Sequence, residues 1–308
     1  MRRVTVAEAF AGVDPFDGKP VVVLDAPAPA DLAARLAGVQ AVVVGVDIEA
    51  PGDDDHDQHL ARIDEAVRAH PEAAVALAVL LRGGEGRSTG DGLVLESATY
   101  SLLQAGADHQ RWRAARPARQ PRPVGAEGAP VRLRRDGDVL HLTLDRPEVR
   151  NAYSAAMREA LVEALAVAEA DPRLRVEIDG AGPSFCSGGD LEEFGTGPDP
   201  ATAHGIRLRR SAAAALARVA ERVTVHVHGA CVGAGVELPA YAGRVVARPD
   251  ARFWLPEVAM GLIPGAGGTV SIPRRIGRQR TLWLALTGEA IDATTALDWG
   301  LVDDLRAD

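Results

Sequence analysis

Two glycine-rich turns, each placed directly after a strand-like stretch, constrain the fold of this chain more than any other feature. The first, SFCSGGDLEEF at 184–194, follows the alternating stretch LRVEID, and the second, HGACVGAGVELPAYAG at 228–243, follows VTVHVHG and leads into a helix. Glycine at such junctions lets backbone N–H groups point into open space, and a helix start adds the positive end of a dipole. Two such turns lying side by side could supply a pair of N–H donors to one oxyanion.

Each turn alone is weak support for a function, because tight turns and phosphate-binding loops share this composition. The chain contains no G-x-x-x-x-G-K-[ST] motif, which excludes a P-loop, and no G-x-S-x-G motif, so a hydrolase nucleophile elbow is not supported. The net charge of −9 argues against a general nucleic-acid binder, which needs a basic surface to displace counterions.

The second part of the chain alternates between strand and helix patterns. DVLHLTLD at 138–145 places its leucines on one face, which predicts a strand, and apolar residues at spacing four predict a helix over about 154–170. The remaining predicted elements are strands at 174–179, 223–229 and 244–249 and a helix through 203–221.

The first part contains short apolar runs, VVVL at 21–24, AVVVGV at 41–46 and AVALAVLL at 74–81, separated by helix-like stretches. This alternation predicts strands in a small parallel α/β unit. Residues 113–130 are rich in Pro, Arg, Ala and Gly without an apolar period, which is typical of a linker. We therefore expect two units, 1–125 and 126–308, with the boundary near residue 125.

Residue types that often bind metals are expected to be structural here, and no metal site is predicted. The acidic run DDDHD at 53–57 lacks the spacing and glycine turn of a calcium loop, which favours a solvated loop. His226 and His228 lie on one strand without an evident third ligand, so packing is the expected role. Cys186 and Cys231 are the only cysteines and are expected to be buried, reduced thiols, which indicates the cytoplasm. Neither a signal peptide nor a membrane span is predicted.

Five segments of the second part occur in a characteristic order. They are LTLDRPEVRNA, FCSGGDL, HGACVGAGVEL, FWLPEVAMGLIPGAGGTVSIPRRIG and LTGEAIDATTALDWGLVD. On these segments, the region from about Asp138 to Asp304 resembles the crotonase, or enoyl-CoA hydratase/isomerase, superfamily. The resemblance implies a spiral of repeated ββα units, an acyl-coenzyme A substrate, no metal or redox cofactor, and a homo-oligomer, either a trimer or a dimer of trimers.

The resemblance also implies catalytic residues. The oxyanion donors of the family fall on the backbone N–H groups of Gly189 and Ala234, and its two glutamates match Glu237 and Glu257, which lie 20 residues apart. Hydration of an enoyl thioester needs a base for water and an acid for C2, and two carboxylates in different environments can divide these tasks. We assign water activation mainly to Glu237 and proton donation mainly to Glu257.

Further positions are implied as substrate contacts. Pantetheine would pass the second turn at Gly235 and the first turn at Ser187, Gly188, Asp190 and Leu191. Gly265 would shape the wall beside the glutamates. The adenine would lie near Val149 and Arg150. The lysines that the family often has are replaced here by Glu148 and Glu192, so Arg150 or Arg207 is expected to contact phosphate.

Departures from the family pattern leave alternatives open. The chain ends at LVDDLRAD, where relatives continue through helices that complete the acyl pocket, and residues 1–125 have no counterpart. One hypothesis is that 73–112 is a shortened, structural relative of 222–254 that covers this side. The leading function is hydration of 2-enoyl-CoA to 3-hydroxyacyl-CoA, or its reverse. The alternatives are isomerisation, a biosynthetic dehydration, thioester hydrolysis, or a catalytically weak scaffold subunit.

Overall fold

The computed structural model describes residues 1–11, 18–36, 39, 41–46, 48, 56–116, 128–197 and 199–307. The predicted boundary near residue 125 and most of the acidic run at 53–57 lie outside these residues. The elements of the N-terminal part are β1 (Arg2–Val4), α1 (Val6–Phe10), β2 (Val21–Leu24), α2 (Ala30–Leu36), β3 (Val42–Val44), α3 (His56–Ala69), α4 (Pro71–Arg82), α5 (Thr89–Ala105) and α6 (Ala107–Ala114).

The N-terminal strands form a small parallel sheet in the order β1-β2-β3, as the apolar runs at 21–24 and 41–46 predict. The strand predicted at 74–81 is wrong, because these residues belong to helix α4. Its run of alanines and leucines has high helix propensity, and Pro71 occupies the first helical turn, where it fits best. Short apolar runs do not distinguish a buried strand from a buried helix by periodicity.

The segment 73–112 is helical apart from the turns between α4, α5 and α6, and it contains no strand. The stretch 222–254 with which it was compared is built mainly from strands and short helical turns. The hypothesis that the two segments share a fold is therefore wrong. The shared order of apolar run, glycine-rich turn and aromatic residue reflects composition alone.

The C-terminal part contains more elements. They are β4 (Val131–Asp136), β5 (Val139–Leu144), α7 (Ala155–Ala170), β6 (Arg175–Gly180), α8 (Pro200–Arg209), α9 (Ala212–Val219), β7 (Val223–Val227), β8 (Ala230–Val232), α10 (Ala234–Glu237), β9 (Arg244–Ala247), β10 (Arg252–Trp254), α11 (Gly268–Thr287), β11 (Ile291–Asp292), α12 (Ala293–Trp299) and β12 (Asp304–Leu305).

Two sheets organise these elements. The larger sheet has the order β12-β9-β7-β6-β5-β4, and the smaller one has the order β11-β10-β8. Neighbouring strands of the larger sheet run parallel except for the β4–β5 pair. In the successions β7–β8–α10 and β9–β10–α11, a strand of the large sheet is followed by a strand of the small sheet and then by a helix, which is the predicted spiral of ββα units.

The helix predicted through 203–221 is interrupted. Helix α8 ends at Arg209, and the Ser211 side chain accepts a hydrogen bond from the N–H of Ala214 to begin α9. A serine that caps the backbone in this way favours a new helix start over a continuous helix. The break places α8 against α5 of the N-terminal part.

The two parts of the chain share one hydrophobic core. Helices α3, α4 and α5 pack against α11, and buried side chains such as Leu60 and Leu77 belong to the same apolar cluster as Leu282 and Trp283. At the α5–α11 contact, Gly92 lies so close to Val270 that an added Cβ would come within 2.7 Å of it. No helix among the described residues is both long and apolar enough to cross a membrane.

Candidate active site

The two glycine-rich turns lie side by side because the chain segments that contain them pair with each other. The N–H of Cys186 donates to the Ala230 carbonyl at 3.2 Å, and the N–H of Val232 donates to the Cys186 carbonyl at 2.9 Å. The backbone contact is close, since a Cβ at Gly235 would lie 2.5 Å from the Cys186 carbonyl oxygen. Glycine at position 235 therefore permits the approach of the two turns.

Gly189 and Ala234 stand at the facing ends of these turns, and both line one cavity of about 710 Å³. Within the described part of the chain, neither backbone N–H donates a hydrogen bond. Each follows a glycine with positive φ, Gly188 at 89° and Gly233 at 48°, a conformation that side-chain-bearing residues rarely adopt. The arrangement offers two unengaged N–H donors to the same cavity.

Glu237 is the last residue of the short helix α10, and its side chain is buried. Its Oε2 accepts hydrogen bonds from the N–H groups of Ala266 and Gly268, at 2.7 and 2.8 Å. These donors belong to the loop and first turn that begin α11. The two bonds fix the carboxyl group against the cavity and stabilise its anionic form.

Glu257 follows β10 and lies across the second turn from Glu237. Its Oε1 rests against the Cα of Gly233, where a side chain would collide with it. Its Oε2 is buried and has no hydrogen-bond partner among the described residues. An unpartnered, buried carboxyl oxygen favours the protonated acid over the anion.

A third carboxyl group comes from the N-terminal part, and the sequence analysis missed it. Glu96 of α5 is buried, and its Oε1 accepts from the N–H of Gly267 at 2.7 Å. Its Oε2 accepts from the N–H and the hydroxyl of Thr269, at 2.9 and 2.7 Å. Glu96 and Glu237 thus bind alternating N–H groups at the start of α11.

A periodic signal in the sequence could have identified Glu96. Leu93, Glu96, Tyr100 and Leu103 are separated by three, four and three residues, the spacing of the inward stripe of a helix. A glutamate on such a stripe, flanked by apolar residues, is unusual unless it is paired or functional.

Burial dominates the electrostatics of the three glutamates. It raises the pKa of Glu96 to about 7 and that of Glu257 to about 8, against hydrogen bonds that lower both values. Burial, with the nearby charges of Glu257 and Glu96, also raises the pKa of Glu237 well above its ordinary value. Because like charges in one buried site repel, the cluster retains protons at neutral pH.

Tyr100 forms the wall of the cavity opposite the turns. Its ring packs against Gly265, at the place where a side chain of residue 265 would otherwise lie. The Arg207 guanidinium stacks on the same ring, 4.9 Å from its centroid. The predicted wall residue Gly265 therefore shapes the cavity by admitting an aromatic side chain from α5.

Asp190 also lines the cavity, but it is engaged in a buried ion pair. Its Oδ2 lies 3.0 Å from Nη1 of Arg146, and both side chains are only 5% exposed. The Asp190 N–H donates to the Tyr153 carbonyl at 2.9 Å. These contacts indicate that Asp190 holds the first turn in place.

The other predicted coenzyme A contacts lie outside the cavity wall. Ser187 joins two of them, since its N–H donates to the Arg150 carbonyl at 2.9 Å and its hydroxyl to the Val149 carbonyl at 3.2 Å. They form a cluster next to the first turn, and Arg150 is exposed there. Gly188, Leu191 and Gly235 likewise belong to the two turns without lining the cavity.

The remaining candidate residues have local partners. Cys186 and Cys231 are buried and free, and burial raises the pKa of the Cys186 thiol to about 12. His226 pairs with Glu177 at 2.5 Å, and His228 Nε2 lies 3.0 Å from the Gly182 carbonyl. Both histidines are more exposed than the expected packing role implies. No cluster of three potential metal-ligating side chains occurs in the described ranges.

Comparison with known proteins gives consistent matches. The chain is 36% identical over 169 residues to 1,2-epoxyphenylacetyl-CoA isomerase and 38% identical over 168 residues to 2,3-dehydroadipyl-CoA hydratase, both from Escherichia coli (strain K12). These alignments cover 53% and 54% of this chain and 64% and 65% of the relatives, so the chain spans less than two thirds of their length.

Among solved structures, the crystal structure of enoyl-CoA hydratase from Thermoplasma volcanium matches with a TM-score of 0.53 at 32% identity. The match covers 59% of this chain and 73% of that one. The model of the enoyl-CoA hydratase/isomerase family matches residues 134–308, more than half of the chain. The chain belongs to the enoyl-CoA hydratase/isomerase family, within the crotonase superfamily.

Proposed function

We propose that this protein hydrates 2-enoyl-CoA thioesters to 3-hydroxyacyl-CoA, or catalyses the reverse dehydration. The observation that supports this most strongly is the meeting of four groups in one cavity: the N–H donors of Gly189 and Ala234 and the carboxyl groups of Glu237 and Glu257. Hydration of a conjugated thioester needs these two functions together, oxyanion stabilisation and paired acid–base groups.

The thioester carbonyl oxygen would accept hydrogen bonds from the two N–H groups. When water adds at C3, the π electrons of the C2=C3 bond move toward C1, and the carbonyl oxygen becomes negatively charged. Donors that are already oriented in a site shielded from water stabilise this charge without reorganisation. Helix α10 starts at Ala234, and the partial positive charge of its first N–H groups acts in the same direction.

The two glutamates would divide the proton transfers. Burial and the neighbouring carboxyl groups raise the pKa of Glu237, but its two N–H donors oppose this by stabilising the anion. We therefore assign the ionised member of the pair to Glu237, which removes a proton from water as the oxygen bonds to C3. Glu257, with a pKa of about 8, is protonated at neutral pH and donates its proton to C2. Water has then been added across the double bond, and the proton gained by Glu237 replaces the one lost by Glu257.

Coenzyme A would leave the cavity past the first turn. We propose that pantetheine passes Ser187, Gly188, Leu191 and Gly235, and that the adenine lies near Val149 and Arg150, where the exposed Arg150 can meet phosphate. No metal or redox cofactor takes part in this reaction. We also propose that the protein is a cytoplasmic homo-oligomer.

Isomerisation is the second candidate, and one contact favours it. Oε2 of Glu237 is engaged by two N–H groups, which leaves only Oε1 to hold a water molecule. If that oxygen does not bind water, the ionised form of Glu257 would remove a proton at one carbon and return it at another. The double bond would move, and the mass of the thioester would not change.

Mass spectrometry of the product separates these reactions. Crotonyl-CoA, a longer enoyl-CoA and an aryl enoyl-CoA are incubated with wild type, Glu237→Gln and Glu257→Gln, with the exposed Glu65→Gln as the matched control. We expect addition of one water by wild type and the control, and loss of at least about 100-fold in rate in both active-site variants. A rearranged product of unchanged mass would refute hydration and establish isomerisation. Thioester binding without any product would refute both.

A further inference from the structure

Arg207 is a cation in the cavity that the proposed reaction does not use. It belongs to α8, and three residues of α5 hold its side chain. Its Nε donates to the Ser97 hydroxyl at 3.0 Å, its Nη2 donates to the Ser101 hydroxyl, and its guanidinium plane stacks on Tyr100. These contacts fix the orientation of the guanidinium, so a ligand meets a preformed group.

Arg207 forms no close ion pair among the described residues, and Glu96 attracts its charge only from a greater distance. Its Nη1 makes no hydrogen bond there, and no described Asp or Glu forms an ion pair with it. Two other arginines of the cavity, Arg158 and Arg210, pair with Glu159, whereas Arg113 contacts the side-chain oxygen of Gln110. A partly buried cation without an ion-pair partner is unfavourable, and burial lowers the pKa of Arg207 accordingly. An anionic ligand group would offset this cost.

The position of Arg207 relative to the catalytic groups indicates which part of the substrate it meets. The Tyr100 ring contacts Gly265 beside the glutamates and supports Arg207 on its face, so one aromatic ring separates the reaction centre from the guanidinium. The cluster of Val149 and Ser187, which marks the proposed coenzyme A path, does not line the cavity. An acyl chain that extends beyond C3 along Tyr100 would therefore reach Arg207.

We propose, on the basis of the proposed function, that the substrates are CoA thioesters whose acyl chain ends in a carboxylate, and that Arg207 binds this distal carboxylate. Arginine suits the task because its planar fork matches the two oxygens of a carboxylate, and a charge-assisted bond inside a cavity is stronger than one at the surface. The phosphates of coenzyme A have the same anionic chemistry, so the experiment separates the two sources.

Calorimetric binding of saturated thioesters tests the inference without turnover. Succinyl-, glutaryl- and adipoyl-CoA are compared with butyryl-, pentanoyl- and hexanoyl-CoA, pairs that share coenzyme A and chain length. We expect wild type to bind at least one diacid thioester about 30-fold more tightly than its partner. Arg207→Met should abolish this ratio and Arg207→Lys should reduce it. Arg209→Met, which removes an exposed charge from the same helix, should preserve it.

Two results would overturn the inference. The first is equal binding of both members of every pair by wild type, a result that requires no variant. The second is an equal loss of affinity for both members of each pair in Arg207→Met, which would assign Arg207 to the coenzyme A phosphates or to the fold. Selective binding of diacids without hydration would refute the proposed function alone, and hydration without diacid preference would refute this inference alone.

Discussion

Substitution of Glu96 by glutamine should change how the free energy of unfolding depends on pH. Burial raises the pKa of Glu96 from 4.5 to about 7 in the folded protein, so the folded state binds its proton more tightly than the unfolded chain does. The stability that this proton contributes is fully present below pH 4.5 and is lost as the pH rises through about 7. The displacement of the pKa corresponds to about 3 kcal/mol.

Glutamine has nearly the same shape as protonated glutamate, and its side chain does not titrate. The difference in unfolding free energy between wild type and Glu96→Gln should therefore fall by about 3 kcal/mol between pH 4.5 and pH 8, whatever its starting value. Urea denaturation followed at several pH values measures this difference. Glu65→Gln, the same exchange at an exposed position, should give a nearly constant difference.

A difference for Glu96→Gln that stays constant, or that grows with pH, would refute the reasoning. It would mean that the N–H groups of Gly267 and Thr269, with the Thr269 hydroxyl, hold Glu96 ionised despite its burial. The activity gives an independent readout, because the charge of Glu96 also raises the pKa of Glu237 and Glu257. In the variant, the alkaline limb of the rate profile should move to lower pH.

Three further predictions concern the turns and the acid. Ala234→Pro removes the N–H at the first position of α10, where a helix tolerates proline. We expect kcat to fall by about 10²–10³-fold and the melting temperature to change little. An unaltered kcat would show that this N–H does not stabilise the oxyanion. If Glu257 donates the proton, kcat should decline tenfold per pH unit above about 8. A kcat that rises in this range would mean that Glu257 acts as the base instead. Asp190→Asn removes the negative charge that pairs with the buried Arg146 and should lower the free energy of unfolding by about 3 kcal/mol in urea titrations. A rise in KM without a change in this free energy would indicate direct substrate binding.

The ordered motifs of the C-terminal part made its architecture predictable from sequence. Alternating leucines located β5, the stripe at spacing four located α7, and the two turns contain Gly189 and Ala234 next to one cavity. Each of these features is local, since a strand period or a glycine junction can be identified within about ten residues. The parallel strands then bring the two turns to the same edge of the structure.

The N-terminal contribution was less predictable because it depends on tertiary packing. The run at 74–81 has the composition of either a buried strand or a buried helix, and only its packing against α11 decides between them. Glu96 and Tyr100 lie more than 150 residues from the groups that they contact in the loop before α11 and its first turn, and no local pattern connects such distant positions. The residues that the N-terminal part contributes to the cavity could therefore be identified only from the structure.

The alternation of Glu96 and Glu237 along the start of α11 has a consequence for how this protein can be divided. The segment that matches the family begins at residue 134, yet a carboxylate from residue 96 completes the hydrogen bonding within that segment. A fragment cut at the family boundary would retain the catalytic glutamates but leave two buried N–H groups and one hydroxyl without an acceptor. The segment that matches the family is therefore shorter than the segment needed to complete the hydrogen bonds of its own active-site loop.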